Sequence, residues 1–303
     1  MSTLAKKDKR IDKVRLKKYS LRYSISVVRL IFLIGMTFIV LFPLFQKIVF
    51  SVMTSKDLYD ATVSYIPKHF TTDNYAEAWR KLGGLTVFLR TLGLTIACSL
   101  LNVACATLVG YGLARFKSKV TDTLFLVVIL ALVLPSDLLF TTRYMMMVSA
   151  NLLDTWVPML LFSATCTGFK ASLYIFLMRQ FFKGQPHALE EAAYVDGAGP
   201  LKTFINIMLP GAVPMMITIF LFSFVWQWLD SSYTTILMKK IDIISTTYSK
   251  LTFDVSDSSV FSSLNISLTK AAGIIIIVSP LVLLYAFTQR YFVESISRSG
   301  LVG

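Results

Sequence analysis

The stretch EEAAYVDGAGP, Glu190–Pro200, lies between two long apolar runs and brings three acidic residues, three alanines and two glycines close together. Its two leading glutamates suit the start of a short helix, because the helix dipole favours negative charge near an N-terminus. Gly197 and Gly199 are stop signals for that helix, and Pro200 suits the first turn of another. The stretch therefore predicts a helix, a bend and a second helix within the connection 183–210.

The predicted first helix has a face suited to close contact. Leu189, Ala192, Ala193 and Asp196 follow the i, i+3, i+4, i+7 spacing, so a leucine, two small residues and an acid share one side. Alanines allow another backbone to approach closely. The spacing predicts a docking surface on a short helix.

The composition of the whole chain indicates a membrane protein. Of its 303 residues 55% are hydrophobic and only 16% are charged, against about a quarter charged in an ordinary soluble domain. Cys98, Cys105 and Cys166 all lie in apolar runs without CxxC spacing, which predicts packing residues rather than a disulfide framework or a zinc site. The fold class expected is an all-α polytopic membrane protein.

Six apolar runs reach the roughly 20 residues that a helix needs to cross a bilayer. They predict six transmembrane helices, with the helix of the Glu190–Pro200 stretch between helices 4 and 5. The predicted spans are 25–49, 86–113, 122–143, 153–180, 210–232 and 270–290. The chain then divides into a basic segment 1–24, a membrane domain 25–290 and a C-terminal tail 291–303.

Lysine and arginine predict the orientation of these spans. The first twenty residues carry eight basic residues against two aspartates, and such a cluster beside a first span stays in the cytoplasm. Both termini and the 183–210 connection are then cytoplasmic, while 50–85 and 231–269 lie outside. The net charge of +13 is explained by this topology and by contact with anionic lipid, so no nucleic-acid partner is expected. The apolar run after the basic segment is too long for a signal peptide and predicts an uncleaved anchor.

The chain lacks the motifs of an energy-coupling enzyme. It has no GxxxxGK[ST] phosphate loop, and His69 and His187 are far apart and outside any HExxH pattern. We expect no catalytic residue, no bound metal and no cofactor in this chain. Asn265 begins an NIS sequon, a short pattern that carries little weight.

The sequence EAAYVDGAGPLKTFINIMLP resembles the EAA loop of permease subunits of binding-protein-dependent ABC importers, in which Glu-Ala-Ala, Asp-Gly-Ala and Ile-x-Leu-Pro recur. In that family the loop forms a coupling helix seated in a cleft of a cytoplasmic ATPase subunit. The resemblance implies this ATPase-coupling role for Leu189, Glu190, Glu191, Ala192, Ala193, Asp196, Gly197 and Ala198.

Further segments are similar to the carbohydrate branch of that family, in particular to the second maltose-type permease subunit. These are FLMRQFF before the loop, YGLARF at 111–116 and QRYFV near the end. The resemblance implies a prokaryotic inner-membrane importer of a sugar or oligosaccharide. Its partners would be a second permease, an extracytoplasmic solute-binding protein and two ATPase subunits that carry ATP and Mg²⁺.

Four residues are candidates for the substrate path. Asp137 is an ionisable group in a predicted span just after Pro135, where it could line a cavity, lie wetted near the outer end, or pair with Arg143. Trp226 and Trp228 offer flat faces for sugar rings or serve as interfacial anchors, and Tyr144 has the same two interpretations.

Other classes of membrane protein remain as alternatives. A secondary transporter should show internal repeats with paired broken helices, and no such pairing is visible. A membrane-embedded enzyme should cluster reactive side chains at one depth, whereas the ionisable residues here are scattered. An ABC permease for a non-sugar solute is the third alternative, and a scaffolding membrane protein stays open as well.

Overall fold

The computed structural model describes residues 2–63, 65–168, 170–253 and 260–300, and side chains for 22–63, 65–135, 138–168, 170–251 and 265–291. Helices dominate this part of the chain. Extended pairing in it is limited to one isolated antiparallel bridge between Met53 and Phe70. The all-α prediction is therefore confirmed.

The helices of the first part of the chain include two long ones that flank a short loop region. In chain order they are α1 (Ser2–Ser51), α2 (Ser55–Tyr59), α3 (Asp73–Lys81), α4 (Gly84–Arg115), α5 (Lys119–Val133), a 3₁₀ turn (Ser136–Leu139), α6 (Phe140–Ser149), α7 (Val157–Ala164) and α8 (Ala171–Gly184).

Shorter helices follow before the last long one. They are α9 (Ala188–Val195), α10 (Pro200–Thr203), a π-helical turn (Phe204–Met208), α11 (Leu209–Gly211), α12 (Val213–Leu229), α13 (Ser232–Leu237), α14 (Ile244–Phe253) and α15 (Val260–Gly300). The basic N-terminal segment continues directly into the first span, and the backbone of the predicted C-terminal tail is helical as far as Gly300.

Four of the predicted spans are present as apolar helices. Three are long enough by themselves within the described residues: Arg22–Ser51, Gly84–Arg115 and Asn265–Tyr291. The predicted span 210–232 is α12, which qualifies together with Pro200–Gly211 across a bend of 70°.

The predictions of one unbroken helix for 122–143 and for 153–180 are wrong. In the first run α5 ends at Val133, because the residue before a proline is pushed out of the helical region and Leu134 has φ −67° and ψ 136°. The chain resumes in the 3₁₀ turn and α6. Six crossings therefore stay a prediction, because two of the apolar runs are interrupted.

The break in the second run lies between α7 and α8. Cys166 and Lys170 have positive φ angles of 51° and 60°, which end one helix and begin the next. The freed carbonyl of Phe162 accepts the backbone N–H groups of Thr167 and Gly168 at 3.0 and 2.9 Å. Non-helical backbone at membrane depth requires this kind of internal pairing.

α4 is the central helix and packs along α7, α8 and α12. Gly110 allows its close approach to α8, since a Cβ there would lie 2.7 Å from the Cβ of Met178 and 3.0 Å from the backbone nitrogen of Arg179. The buried residues around this contact include Ala106, Tyr174 and Phe182. In lipid no hydrophobic force drives helices together, so their contact depends on the close packing that small residues allow.

The outer side of α1 is apolar and exposed. Over Arg22–Ser51 none of the apolar window is buried within the chain, and side chains such as Phe38 and Ile39 are about two thirds exposed. α1 packs mainly along α15. Apolar exposure over a whole span is the pattern of a surface covered by lipid or by another membrane subunit.

The loop between α1 and α4 is organised by two aspartates. Asp57 accepts hydrogen bonds from the backbone N–H of His69 at 2.7 Å and pairs with its Nδ1 at 2.8 Å, and these bonds lower the pKa of the Asp57 carboxyl. The Lys68 ammonium lies 2.6 Å from Asp60, and together with Thr62 it lowers the pKa of that carboxyl. The loop is thus held in one conformation beside the end of α1.

Candidate coupling helix and translocation cleft

α9 is the short helix predicted from the Glu190–Pro200 stretch. It begins at Ala188, two residues after Pro186, and ends at Val195. Gly197 has a φ of 80°. Its N–H donates to the Tyr194 carbonyl at 3.0 Å, and the N–H of Ala198 donates to the Ala193 carbonyl at 2.9 Å. These two bonds form a Schellman end, so the predicted bend at Gly197 is confirmed.

The surface of α9 divides into an exposed and a buried side. Exposed are Leu189, Glu191, Ala192, Asp196 and Gly197, while Ala198 is half-buried. Ala193 is 3% exposed and packs inward, so it lies at the buried edge of the face predicted for Leu189, Ala192, Ala193 and Asp196. The four positions cover about 100° of the helix circumference, so one edge of the face turns towards the rest of the protein.

Two exposed apolar residues of α9 did not stand out in the sequence. Val195 is 88% exposed and Tyr194 is 47% exposed, beside Leu189 at 43%. The carboxylates of Glu191 and Asp196 lie on the exposed part of α9 as well, so this part carries both apolar and acidic side chains. Such a surface suits docking to another protein.

Glu190 faces the opposite way, into the body of the protein. Its carboxylate accepts a hydrogen bond from the Tyr111 hydroxyl at 2.8 Å and lies 3.3 Å from Nε of Arg115. His187 is 3.8 Å from the same carboxylate. Glu190 therefore connects α9 to the end of α4, and sequence spacing could not show this because the partners lie more than 70 positions away.

The segment after α9 leads back to the apolar bundle. Pro200 occupies the first turn of α10, as predicted, and the Thr203 hydroxyl donates to the Gly199 carbonyl at 3.1 Å. The π-helical turn then places Phe204 and Met208 in the core cluster around α4 and α8. The 70° bend before α12 completes the connection.

A polar cleft lies between α4, α7 and α12. The Asn102 amide nitrogen is 3.0 Å from the Ser223 hydroxyl and 3.4 Å from the Ser163 hydroxyl, and all three residues are buried. Asn102 Oδ1 and the Gln227 amide nitrogen are buried without a hydrogen-bond partner among the described residues. The cleft has a volume of about 20 Å³ in this conformation, which is room for about one water molecule. Asn102 and Gln227 therefore offer an acceptor and a donor to a molecule of that size here.

Aromatic rings form one wall of this cleft. Trp226 lies 6.0 Å from the Tyr174 ring and 5.7 Å from the Phe222 ring, both measured between centroids. Nζ of Lys170 is 5.7 Å from the Trp226 centroid. Both Trp226 and Tyr174 line the cleft, which gives it flat apolar faces beside hydrogen-bonding groups.

The end of the cleft is built by Asp230 at the end of α12. Its carboxylate accepts the backbone N–H groups of Tyr233 and Thr234 and the Thr234 hydroxyl, at 3.2, 3.0 and 2.7 Å. Tyr233 also accepts a hydrogen bond from Arg143 at 3.0 Å. Asp230 thereby fixes the turn from α12 into α13.

The structure separates the four predicted path residues. Trp226 lines the cleft, whereas Tyr144 is half-buried against the cluster around Leu94 and Met147. Trp228 has no exposed surface and donates its indole N–H to the Ile277 carbonyl at 3.0 Å, so it is neither an interfacial anchor nor a cleft residue in this conformation. The side chain of Asp137 lies outside the described residues.

The polar cleft residues Asn102, Ser163 and Ser223 were missed by the sequence analysis. Each lies in a mostly apolar run that also holds other small polar residues, and such residues in a span are too common to signal a site. Their grouping depends on helices that are 61 and 121 positions apart. Among the described residues no group of three or more histidine, cysteine or acidic side chains could hold a metal ion.

Curated proteins similar to this chain are transport permeases. It is 25% identical over 269 residues to the arabinooligosaccharides transport system permease protein AraQ of Halalkalibacterium halodurans, covering 88% of this chain and 92% of that one. It is 27% identical to the melibiose/raffinose/stachyose import permease protein MelC of Bacillus subtilis, covering 82% and 85%. The sn-glycerol-3-phosphate transport system permease protein UgpE of Yersinia pestis is 25% identical, covering 85% and 91%.

A solved structure has a similar fold. The crystal structure of a bacterial ABC transporter involved in the import of the acidic polysaccharide alginate contains a chain that superposes with a TM-score of 0.73 at 18% identity, covering 88% of this chain and 96% of that one. The profile of the family described as binding-protein-dependent transport system inner membrane component matches residues 106–298, more than half of the chain. The chain therefore belongs to this family, the membrane subunits of ABC importers.

Proposed function

We propose that this chain forms half of the translocation path for a sugar or oligosaccharide, and that α9 couples this path to ATP hydrolysis by a separate ATPase subunit. The observation that carries the proposal is the two-sided α9. One side is anchored to α4 through Glu190, and the other exposes apolar and acidic side chains. A helix that served only as a connector would not need an exposed apolar surface.

The exposed side of α9 contacts the ATPase in this proposal. Leu189, Tyr194 and Val195 enter an apolar cleft, and Glu191 and Asp196 accept charge-assisted hydrogen bonds at its rim. Ala192, Gly197 and Ala198 allow close approach, while Glu190 and Ala193 support the helix from behind. The ATPase carries ATP and Mg²⁺, and this chain supplies no catalytic residue.

The assembly contains two different permeases, two ATPase subunits and an extracytoplasmic solute-binding protein. Both termini and α9 face the cytoplasm in this arrangement, which the lysine and arginine distribution supports. ATP-driven closure of the ATPase pair moves the coupling helices together. The two permease bundles then pass between inward-open and outward-open states.

The substrate passes through the polar cleft in this proposal, and the cleft, about 20 Å³ in this conformation, widens when the permease bundles change state. A hydroxyl group both donates and accepts, so it can satisfy Asn102 Oδ1 and the Gln227 amide together. Trp226 stacks on the apolar face of a sugar ring. The names of two similar permeases, for arabinooligosaccharides and for melibiose, raffinose and stachyose, support an oligosaccharide. The name of a third, for glycerol 3-phosphate, keeps a non-sugar solute as the second candidate.

The test is to purify this chain with its second permease and ATPase, and to measure ATP hydrolysis with binding protein loaded with oligosaccharides or with glycerol 3-phosphate. We expect a stable complex whose ATP hydrolysis rises with a loaded binding protein. Stimulation by the phosphate ester alone would move the substrate to the second candidate. If no ATPase co-purifies, the coupling role of α9 is wrong.

A further inference from the structure

Glu190 is an acidic residue of α9 whose side chain is buried and contacts other residues of this chain. Its side chain is 9% exposed and that of Arg115 is 5% exposed, so the ion pair between them is nearly dry. Glu191, the next residue, is exposed. The two adjacent glutamates therefore have different surroundings: Glu191 is accessible to another protein, and Glu190 is not.

The group around Glu190 joins several elements at one point. Arg115 donates from Nη2 to the Gln185 carbonyl at 3.0 Å, which fixes the chain between α8 and α9. The Tyr111 ring lies 5.3 Å from the Phe182 ring and 4.7 Å from the Phe204 ring, on either side of α9 in the chain. Tyr111 and Arg115, one turn apart on α4, thus hold both ends of the α9 connection.

α4 leads from this group to the polar cleft. Asn102 precedes Arg115 by 13 positions on the same helix, which corresponds to about 20 Å. The contact between α4 and α8 is tight at Gly110, so α4 cannot slide freely past its neighbour. Glu190 connects α9 to α4. When α9 is displaced, α4 is therefore displaced with it, and so is Asn102.

We propose that Glu190 is a positioning residue that fixes α9 to the end of α4 through Arg115 and Tyr111, and so transmits the movement of α9 to the cleft. This inference rests on the proposed function of α9. Glu190 makes no contact with the ATPase. Its effect on transport depends on Arg115, because an unpaired charge at this buried position is unfavourable and the helix then loses its fixed orientation.

A rival role for Glu190 is direct contact with the ATPase, as proposed for Glu191. The two roles predict different relations between variants. If Glu190 acts through Arg115, replacing both residues lowers transport per ATP no more than replacing one, since a single replacement already removes the interaction. If Glu190 binds the ATPase independently, the two effects multiply.

The experiment uses the full importer in proteoliposomes, with both permeases, the ATPase and loaded binding protein. The variants are Glu190→Gln, Arg115→Gln and the double variant, with Glu191→Gln as the matched control. The readouts are ATPase subunit retained during purification and solute transported per ATP hydrolysed. We expect Glu190→Gln to retain its ATPase while transport per ATP falls about tenfold, within the range of coupling effects of single residues. In the double variant transport per ATP falls no further, and Glu191→Gln instead retains less of the ATPase subunit during purification.

Tyr111→Phe keeps the proposal testable if the charge variants do not reach the membrane. It removes one hydrogen bond to Glu190 and leaves the ion pair, so transport per ATP should fall by about threefold. Loss of ATPase by Glu190→Gln to the same degree as by Glu191→Gln, multiplying effects in the double variant, or unchanged transport per ATP would each overturn the positioning role. A wild-type chain that binds no ATPase would instead refute the proposed function itself.

Discussion

At the scale of single residues, Gly197 is the position where sequence and structure agree most closely. Its φ of 80° is a conformation that L side chains rarely adopt, and a Cβ there would have no heavy atom within 4 Å. Gly199, two residues on, has φ −76° and equally open surroundings. Substitutions at these two glycines therefore separate the effect of backbone conformation from the effect of an added side chain.

We expect Gly197→Val to reduce solute uptake about tenfold, because a branched side chain at positive φ costs about 1–2 kcal/mol and displaces the end of α9. Gly197→Asn should keep most of the uptake, since asparagine tolerates this conformation. The measurement is uptake normalised to chain in the membrane, with Gly199→Ala as the control. Equal loss in Gly197→Val and Gly199→Ala would show that bulk, not conformation, matters here.

Residues differ in how far their roles could be predicted from the sequence. The bend at Gly197 and the start of α10 at Pro200 follow from local backbone chemistry, which a short stretch contains in full. The inward direction of Glu190 does not, because it depends on Arg115 and Tyr111 on another helix. The burial of Trp228 likewise depends on Ile277 on α15.

At the scale of helices, apolar length predicted α1, α4, α12 and α15 but not the interrupted runs. The end of α5 had a local signal in Pro135. The break at 165–170 had a weaker one, because Cys166 and Thr167 fit an apolar run and the ending depends on hydrogen bonds to the Phe162 carbonyl. Apolar length identifies candidate spans, whereas hydrogen bonds and packing in the folded chain decide whether a run is one helix.

The contact between α4 and α8 gives a prediction at this scale. Gly110→Ala would place a Cβ 2.7 Å from the Cβ of Met178, and overpacking of this kind costs about 1–3 kcal/mol. Gly112 on the same helix has no heavy atom within 4 Å of an added Cβ. We expect a lower thermal unfolding midpoint of the purified importer for Gly110→Ala and an unchanged or higher one for Gly112→Ala. Equal midpoints would mean that α4 and α8 are not closely packed at Gly110.

At the scale of the whole molecule, the cleft and α9 lie at different positions along α4. Neither the grouping of Asn102, Ser163 and Ser223 nor their distance from α9 could be predicted from spacing, because three separate helices contribute. The general class was predictable, since composition and the Glu190–Pro200 stretch are properties of the sequence itself. The site inside the bundle needed the fold.

The cleft gives a prediction about contact with the substrate. Asn102→Ala should raise the solute concentration needed for half-maximal uptake by about threefold to tenfold, the effect of one lost hydrogen bond. Ser99→Ala is the control, because Ser99 is buried one turn away on α4 and does not line the cleft. Unchanged uptake by Asn102→Ala over the whole concentration range would remove the cleft from the substrate path.

The docking of α9 on an ATPase is the central claim, and cross-linking in the assembled importer tests it most directly. The native cysteines Cys98, Cys105 and Cys166 are first replaced by alanine. Single cysteines are then placed at Val195, which is 88% exposed on α9, and at Ile66, which is 78% exposed in the loop predicted outside. We predict that Val195→Cys cross-links to the ATPase subunit and that Ile66→Cys does not. An intact complex without a cross-link from Val195→Cys, or with one from Ile66→Cys, would contradict the account.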